Sequence, residues 1–204
     1  MKRHYAVPVV SAVVMVLASV LAAPSAHAEQ SATWDLPRDK DVVARFGFGS
    51  DIHVGRDSGK YGSAVDKLKN ALSAYRQSGV DAVGFSGDLT DSGQVGQYQT
   101  LMDTLNTGTD DSEQVILAMG NHETLDAGVS DSPQRFKKYT GQDMNKLVEV
   151  NGVDVITMGP QNEDDDYRAD YDFLKTTLDR ITSRANYDPN RPIFVLTHHG
   201  VQNT

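Results

Sequence analysis

The segment Ala82–Asp91, AVGFSGDLTD, decides the fold of this chain. It begins with an apolar run, Ala82–Ser86, of the length and composition that is typical of a buried strand. Gly87 follows, and because glycine permits a sharp turn, the next residue, Asp88, is expected at the tip of the strand. Ligand sites of α/β proteins collect at the carboxyl ends of such strands, so the segment predicts a polar site at one edge of a sheet.

Three more apolar runs end in polar clusters of the same kind. The runs are Val42–Phe48, Val115–Met119 and Ile193–Thr197, and the clusters after them are SDIH at Ser50–His53, GNHE at Gly120–Glu123 and THHG at Thr197–Gly200. Carboxylate, amide and imidazole groups are all metal ligands. We therefore expect four separate pieces of chain to bring metal ligands to one edge of one sheet.

The segments between these runs predict an α/β fold. Apolar residues at helical spacing indicate helices over Ser63–Ser78, Val95–Leu105 and Asp170–Arg184. The first of them lies between two predicted strands, which makes a βαβ unit with parallel strands. Asn151-Gly152, flanked by apolar runs on both sides, predicts a tight hairpin turn and hence a step into antiparallel structure in a second sheet.

The N-terminal segment, residues 1–28, has the pattern of a secretory signal peptide. Two basic residues precede the apolar run Ala6–Ala23, and the small residues of Ala26-His27-Ala28 provide a cleavage site. The alternative is a membrane anchor, which is less favoured because the run is near the lower length limit for a span and is interrupted by Pro8. We expect cleavage at the end of this segment, a secreted or cell-surface protein, and no stable membrane span afterwards.

Composition limits the remaining classes. Loss of residues 1–28, which hold two basic and no acidic residues, changes the net charge from −9 to −11. An acidic protein of this kind is a poor candidate for binding nucleic acid. The chain has no cysteine, so its stability must come from a packed core or from bound metal rather than from disulfides. Residues 29–41 read as a polar leader, and residues 42–204 read as one domain.

Spacing within the clusters suggests which side chains can share an ion. Asp51 and His53 lie two residues apart and point the same way in an extended segment, so both can reach one metal. The carboxylate of Asp88 can bridge two cations, which a single imidazole nitrogen cannot do. Asp91 could either begin the next helix or hold a metal-binding residue in place without binding metal itself. His199 is read as a polar loop residue that lines the pocket.

In this order the clusters resemble the motifs of the calcineurin-like metallophosphoesterase family. The family pattern is D-x-H, G-D-x-x-D, G-N-H-E/D, a histidine after a strand, and finally G-H-x-H, and the first four occur here within Val42–Gly200. The resemblance implies a two-sheet α/β/β/α sandwich. The sequence holds no G-H-x-H, so we expect the domain to be incomplete at its C-terminus, with each ion lacking one protein ligand.

The resemblance also implies two adjacent metal ions. Asp51, His53 and Asp88 would bind the first, and Asp88 would bridge to the second, which Asn121 and His198 would also bind. Mixed oxygen and nitrogen ligands suit manganese, iron or zinc.

The activity implied is hydrolysis of a small phosphomonoester or phosphodiester by hydroxide held between the two ions. His122 would act on the leaving oxygen as general acid or charge stabiliser, and Asp91 would orient and polarise His122. The segment GDLTD weakly favours the branch of the family that includes cyclic-nucleotide and other small phosphodiesterases. The alternatives are a secreted nucleotidase or pyrophosphatase, and a secreted binding or surface module that keeps the fold without turnover.

Overall fold

The computed structural model describes residues 14–16, 42–57, 62–160 and 170–199, the first of these ranges as backbone only. The predicted signal peptide, apart from Val14–Val16, and the predicted leader lie outside the described residues, as does the end of the predicted domain after His199. Cleavage of the signal peptide stays a prediction.

The chain forms seven strands, four α-helices and one short 3-10 turn over the described ranges. The strands are β1 Val14–Val16, β2 Phe46–Gly49, β3 Ala82–Phe85, β4 Gln114–Leu117, β5 Lys146–Val150, β6 Val153–Met158 and β7 Ile193–Thr197. The helices are α1 Ala64–Gln77, α2 Val95–Gly108, α3 Gly128–Thr140 and α4 Tyr171–Thr182, and the 3-10 turn is His122–Thr124. Within these ranges, no helix has the length and apolar character that a membrane crossing requires.

The strands form two separate sheets. The first is parallel with the order β1-β2-β3-β4, and the second has the order β5-β6-β7, with β5 antiparallel and β7 parallel to β6. The expectation that all four apolar runs end at the edge of one sheet is therefore wrong, because the last run is β7 of the second sheet. The physical reason is local: α4 connects β6 to β7 and so forms a βαβ crossover within the second sheet.

Three apolar layers show that the sheets are stacked between helices. Alternate residues of the first sheet, such as Val83 and Phe85, pack on α1, α2 and α3. Residues on its opposite face, such as Ala82, pack against Val155 and other residues of the second sheet. The outer face of the second sheet packs on α4 through Ile156 and its neighbours. This arrangement confirms the predicted α/β/β/α sandwich.

The predicted helices and hairpin are confirmed with shifts at their ends. Ser63 Oγ accepts a hydrogen bond from Asp66 N at the start of α1, as an N-cap does. The helix α2 continues to Gly108, beyond its predicted end. Asn151 and Gly152 have φ of 49° and 80°, which a two-residue type I′ hairpin requires at both positions.

The helix α3 was not predicted from the sequence. Its 13 residues include Pro133, which lacks a backbone donor and normally argues against a helix interior. The fold tolerates it because Phe136 anchors the helix in the helical layer with no exposed surface. Gly141, with φ of 72°, ends the helix in the left-handed conformation that glycine adopts readily.

Side chains cover the outer edge of β4, the last strand of the first sheet. The side-chain amide of Gln142 accepts from Leu117 N over 3.0 Å and donates to Val115 O over 2.9 Å. Lys146 Nζ donates to Leu117 O over 2.6 Å. The amide of Gln142 thus occupies hydrogen-bonding positions that a neighbouring strand would otherwise fill.

Candidate metal centre

The loops after β2 and β3 run side by side beyond the strands. The main-chain N–H of Asp51 donates to Gly87 O over 3.1 Å, and that of His53 donates to Asp88 O over 2.9 Å. Two residues that the sequence predicts as ligands of the first ion are thus fixed through the main chain to the segment that holds the predicted bridging carboxylate.

The backbone of these loops is strained at three predicted ligands. Asp51, His53 and Asp88 have φ of 57°, 51° and 49°. This left-handed conformation costs a residue with a Cβ atom about 1–2 kcal/mol, although Asp and His adopt it more often than most residues do. Strain of this kind collects at functional sites, where the surrounding structure enforces it. Three strained residues in two adjacent loops therefore mark this edge of the first sheet as a site.

The carboxylate of Asp88 lies at the centre of the site, and the residue is 4% exposed. Its Oδ2 is 3.3 Å from His198 Nε2, 3.6 Å from His53 Nε2 and 3.8 Å from His122 Nε2. Its Oδ1 accepts a hydrogen bond from the main-chain N–H of His122 over 3.0 Å. One carboxylate therefore meets imidazoles from three different segments of chain, including one from the second sheet.

Asp88 remains the anion that such a centre needs. Burial alone would raise the pKa of its carboxyl group, but hydrogen bonds from the His198 side chain and from the main chain of His122 outweigh burial and hold the pKa below its ordinary value. An ionised carboxylate facing three imidazoles is a donor set that binds divalent cations.

Two glycines allow the segments to come this close. A Cβ atom on Gly87, whose φ is 110°, would lie 2.7 Å from His198 Cβ. A Cβ atom on Gly120 would lie 2.3 Å from Asp88 Oδ1. Both contacts are far inside van der Waals distance, so the absence of a side chain at each position is a condition for the geometry of Asp88 and His198.

The main chain at the end of β3 orients the ring of His198. Its Nδ1 lies 3.2 Å from Ser86 O, and this hydrogen bond requires the proton on Nδ1, which directs Nε2 to Asp88. The hydrogen bond to Asp88 raises the pKa of His198 above its ordinary value in spite of burial. A metal-binding histidine commonly donates its other N–H in this way. The ring of His199 packs edge-on against His198 with centroids 4.8 Å apart.

His53 faces the site with one nitrogen and the interior with the other. Its Nε2 lies 3.7 Å from Asp51 Oδ1 and 3.6 Å from Asp88 Oδ2, so one ion could bind all three side chains. Its Nδ1 is buried, lies 3.7 Å from Asp91 Oδ1 and has no hydrogen-bond partner among the described residues. Burial, followed by the charge of Arg56, holds the pKa of His53 below its ordinary value, which favours the neutral imidazole that binds metals.

His122 is held by Asp91, but through the main chain rather than the side chain. His122 Nδ1 lies 2.5 Å from Asp91 O, whereas the nearest carboxylate oxygen of Asp91 is 4.0 Å away. That oxygen instead forms an ion pair with Arg56 Nε at 2.6 Å. The residue predicted to orient His122 is thus in place, and the contact that orients the ring is its carbonyl group.

Asn121 joins the site at the end of β4. Its carbonyl oxygen accepts hydrogen bonds from Thr124 N over 3.0 Å and from Thr124 Oγ1 over 2.7 Å. These bonds close the 3-10 turn that follows. Residues in the described ranges make no hydrogen bond to its side-chain amide, which leaves the amide oxygen available to a ligand.

Two residues of the site received no role from the sequence. Arg56 pairs with Asp91, and Glu123 is a carboxylate with no exposed surface. Burial raises the pKa of Glu123, and hydrogen bonds from Thr90 and Gly120 oppose that effect. In the sequence Glu123 has the residue type of a metal ligand, and only its burial among main-chain donors shows that it faces away from the predicted ions.

The residues present fit a metal centre. Ligand atoms of Asp51, Asp88 and His198 lie within 4.8 Å of one another, and so do those of His53, Asp91 and His122. Ligands about 2.0–2.2 Å from one ion lie at most about 4.4 Å apart, so the first group is near binding distance before any metal-induced adjustment. In the second group, Asp91 Oδ1 is paired with Arg56 Nε and His122 Nδ1 with Asp91 O, and neither Asp91 nor His122 is a predicted ligand. The division of ligands between two ions that the resemblance implies stays a prediction, because His53 Nε2 also adjoins the first group.

A separate open groove lies at the other end of the second sheet. It is lined by residues that include Glu149, Asp154, Arg184 and Arg191. Its central cation is already paired, since Arg184 Nη1 lies 2.9 Å from Asp154 Oδ1. The predicted metal ligand of the second sheet, His198, lies at the opposite end of its strands.

Comparison with known proteins identifies the family of the chain. The model of the calcineurin-like phosphoesterase family matches residues 44–203. A curated protein of Rhodococcus erythropolis, described as a probable cyclic nucleotide phosphodiesterase, is 32% identical over 130 residues. That match covers 61% of this chain and 41% of the relative, so the chain spans about two fifths of the relative's length.

Among solved structures, a dimetal phosphatase from Danio rerio matches with a TM-score of 0.41 and 15% identity, over 68% of this chain and 52% of that one. The match of the family model to most of the chain, including every residue predicted for the site, is decisive: the chain belongs to the calcineurin-like phosphoesterase family.

Proposed function

We propose that this chain is a metal-dependent hydrolase of phosphoric esters with two metal ions at the Asp88 edge, and that small phosphodiesters are its preferred substrates. The central observation is that the buried carboxylate of Asp88 meets His198, His53 and His122 at 3.3–3.8 Å. Family membership supports the reaction class. The preference for diesters is supported by the segment GDLTD and by the name of the Rhodococcus relative.

Each ligand has a place in this proposal. Asp51, His53 and Asp88 would hold one ion, and Asp88, Asn121 and His198 the other. Two bound ions would neutralise phosphate oxygens and lower the pKa of a water molecule so that it can attack phosphorus in line. The chain contributes the preorganisation, because the strained loops and the main-chain bonds of Asp51 and His53 fix the ligands before an ion arrives.

His122 would protonate the leaving oxygen. As the imidazolium it keeps Nδ1–H on Asp91 O, at 2.5 Å, and presents Nε2–H on the side of Asp88, 3.8 Å from its carboxylate. A ring whose position is fixed at one nitrogen delivers a proton from the other with little loss of orientation. Arg56, with 54% of its side chain exposed next to Asp91, adds positive charge that attracts an anionic substrate.

The proposed location is outside the cytoplasm. Its support is the N-terminal pattern of two basic residues, the apolar run Ala6–Ala23 and the small residues of Ala26–Ala28. Sequencing the N-terminus of protein recovered from the culture medium of the producing cells tests it: a mature chain that begins at Glu29 is expected, and an uncleaved chain retained in the cytoplasm would contradict it.

The decisive experiment compares the wild type with Asp88→Asn. Chelator-treated protein is given Mn²⁺, Fe²⁺ or Zn²⁺ and assayed with bis-p-nitrophenyl phosphate, p-nitrophenyl phosphate, 3′,5′-cyclic AMP, AMP and pyrophosphate. We expect metal-dependent hydrolysis of the diesters by the wild type and its abolition in Asp88→Asn, because an amide cannot bridge two cations as a carboxylate does. Asp103→Asn, on the exposed face of α2, is the matched control and should retain wild-type rates.

The panel also separates the rival functions. Hydrolysis confined to AMP and pyrophosphate would identify a nucleotidase or pyrophosphatase. Stoichiometric metal binding without turnover of any of the five compounds would favour a non-catalytic binding module. Retained metal-dependent turnover in Asp88→Asn would refute the bridging role of Asp88.

A further inference from the structure

The carboxylate of Glu123 joins the two loops that carry the predicted bridging and amide ligands. Its Oε1 accepts hydrogen bonds from Thr90 N and Thr90 Oγ1, each over 2.8 Å. Its Oε2 accepts one from Gly120 N over 2.8 Å. Thr90 follows Asp88 by two residues and Gly120 precedes Asn121, so one buried side chain fixes both loops within one or two residues of a predicted ligand.

The packing around Glu123 leaves it no other position. Thr90 Oγ1, which donates to Glu123, also accepts from Gly93 N over 3.0 Å. A Cβ atom on Gly93 would lie 2.4 Å from the carbonyl oxygen of Glu123. Both the side chain and the main chain of Glu123 are therefore enclosed, and a change at its carboxylate is transmitted to the loops rather than absorbed by movement of the side chain.

Main-chain and hydroxyl donors hold the carboxyl group of Glu123 in the described part of the chain. Its Oε1 accepts two hydrogen bonds and its Oε2 accepts one. Asp88, the predicted bridging ligand, is bound to the same GNHE turn through His122 N. A buried carboxyl group costs free energy unless its oxygens are hydrogen-bonded, so loss of one of these bonds should be felt by both loops.

We propose that Glu123 is a positioning residue of the metal centre, which binds no ion but strengthens the binding of metal by clamping both ligand loops. This inference rests on the proposed metal-dependent function. Residues behind the ligands of a metal site commonly contribute a factor of about 10–100 to metal affinity.

The test uses Glu123→Gln in the chelator-treated protein and measures Mn²⁺ and Zn²⁺ binding by calorimetric titration, together with the melting temperature with and without metal. Glutamine keeps the shape but replaces one accepting oxygen by an amide NH2 group, which faces a donor instead of accepting from it. We expect the Kd for metal to rise about 10–100-fold, and the rise in melting temperature on metal addition to shrink. Glu149→Gln, in which the carboxylate replaced is exposed, is the matched control and should behave as the wild type does.

A purely structural role would give a different result. In that case Glu123→Gln would lower the melting temperature equally with and without metal and leave the Kd within about threefold of wild type, which would overturn the proposal. Thr90→Val removes one of the three donors to Glu123, so we expect a smaller rise in Kd than in Glu123→Gln.

Thr90→Val also decides the matter if Glu123→Gln does not fold. A several-fold rise in its Kd would support the clamp, and an unchanged Kd would overturn it. Metal binding is measured without substrate, so a wild type that binds metal but hydrolyses nothing defeats the proposed function alone, whereas a wild type that binds no metal defeats both.

Discussion

Replacement of Gly120 by alanine tests the geometry of the centre most directly. The added Cβ atom would lie 2.3 Å from Asp88 Oδ1, 2.4 Å from Asp88 N and 3.0 Å from His198 Cγ. Ordinary contact begins at 3.4 Å, so the GNHE turn and the Asp88 loop must separate by about 1 Å. One of the atoms in conflict is backbone and cannot rotate away.

The size of the effect follows from that displacement. Overpacking a filled interior costs about 1–3 kcal/mol, and a shift of about 1 Å in a catalytic constellation costs about 10²-fold in rate. For Gly120→Ala we therefore expect the free energy of unfolding of the metal-free protein to fall by about 1–3 kcal/mol. We expect kcat/KM for the best substrate of the panel to fall about 100-fold, with weaker metal binding.

The measurements are urea unfolding, metal titration and steady-state kinetics. The matched control is Gly96→Ala, since a Cβ atom on Gly96 in α2 would meet no described atom within 4 Å. That change should leave activity unaltered and stabilise the protein by up to about 1 kcal/mol, because alanine favours the helix. Gly120→Ala protein with stability, metal binding and kcat/KM within twofold of the wild type would refute the close-approach argument.

Three further outcomes are expected. His122→Ala should keep the metal content and slow hydrolysis by about 10²–10⁴-fold, most with poor leaving groups, because it removes the proton donor. Loss of metal, measured by elemental analysis, would show that His122 is a ligand instead. Burial lowers the pKa of Lys146 from 10.5 to about 8, so between these pH values the unfolded state binds more protons than the folded state does. The free energy of unfolding should therefore rise with pH from about 8 to about 10, by about 2 kcal/mol more in the wild type than in Lys146→Met. Parallel pH profiles of the two proteins would contradict this expectation. Within the described residues the Tyr98 hydroxyl is buried without a hydrogen-bond partner, whereas that of Tyr75 donates to Phe48 O over 2.7 Å. Tyr98→Phe should therefore stabilise the protein by up to about 1 kcal/mol and Tyr75→Phe should destabilise it by about 1 kcal/mol in urea unfolding. Equal losses in both variants would show that the Tyr98 hydroxyl has a partner.

The sequence predicted the elements that carry strong local signals. The strands β3 and β7, the helix α1 and the hairpin at Asn151-Gly152 were recognisable because apolar spacing and turn chemistry are properties of short segments. The strand β2 is shorter than the apolar run Val42–Phe48 that predicted it, since it starts at Phe46. The sandwich itself was predicted from the order of the motifs, which carries information that no single element holds.

What the sequence left out depends on contacts between distant segments. The helix α3 has few apolar residues and a proline, and it exists because the pocket beneath it accepts Phe136. The placement of β7 in the second sheet follows from the α4 crossover, which periodicity alone does not pair with a particular strand. The use of the Asp91 carbonyl group rather than its carboxylate was equally invisible, since a side-chain role is all that a residue's identity suggests.

The covered edge of β4 has a consequence for the behaviour of the protein at high concentration. An exposed strand edge is a template on which a second molecule can add a strand, and this is a common route to aggregation. Gln142 and Lys146 fill those positions with a side-chain amide and a cation, neither of which can be extended by another chain. The sheet is thereby protected against self-association at this edge, and loss of the Gln142 amide should show first as turbidity on concentration rather than as loss of fold.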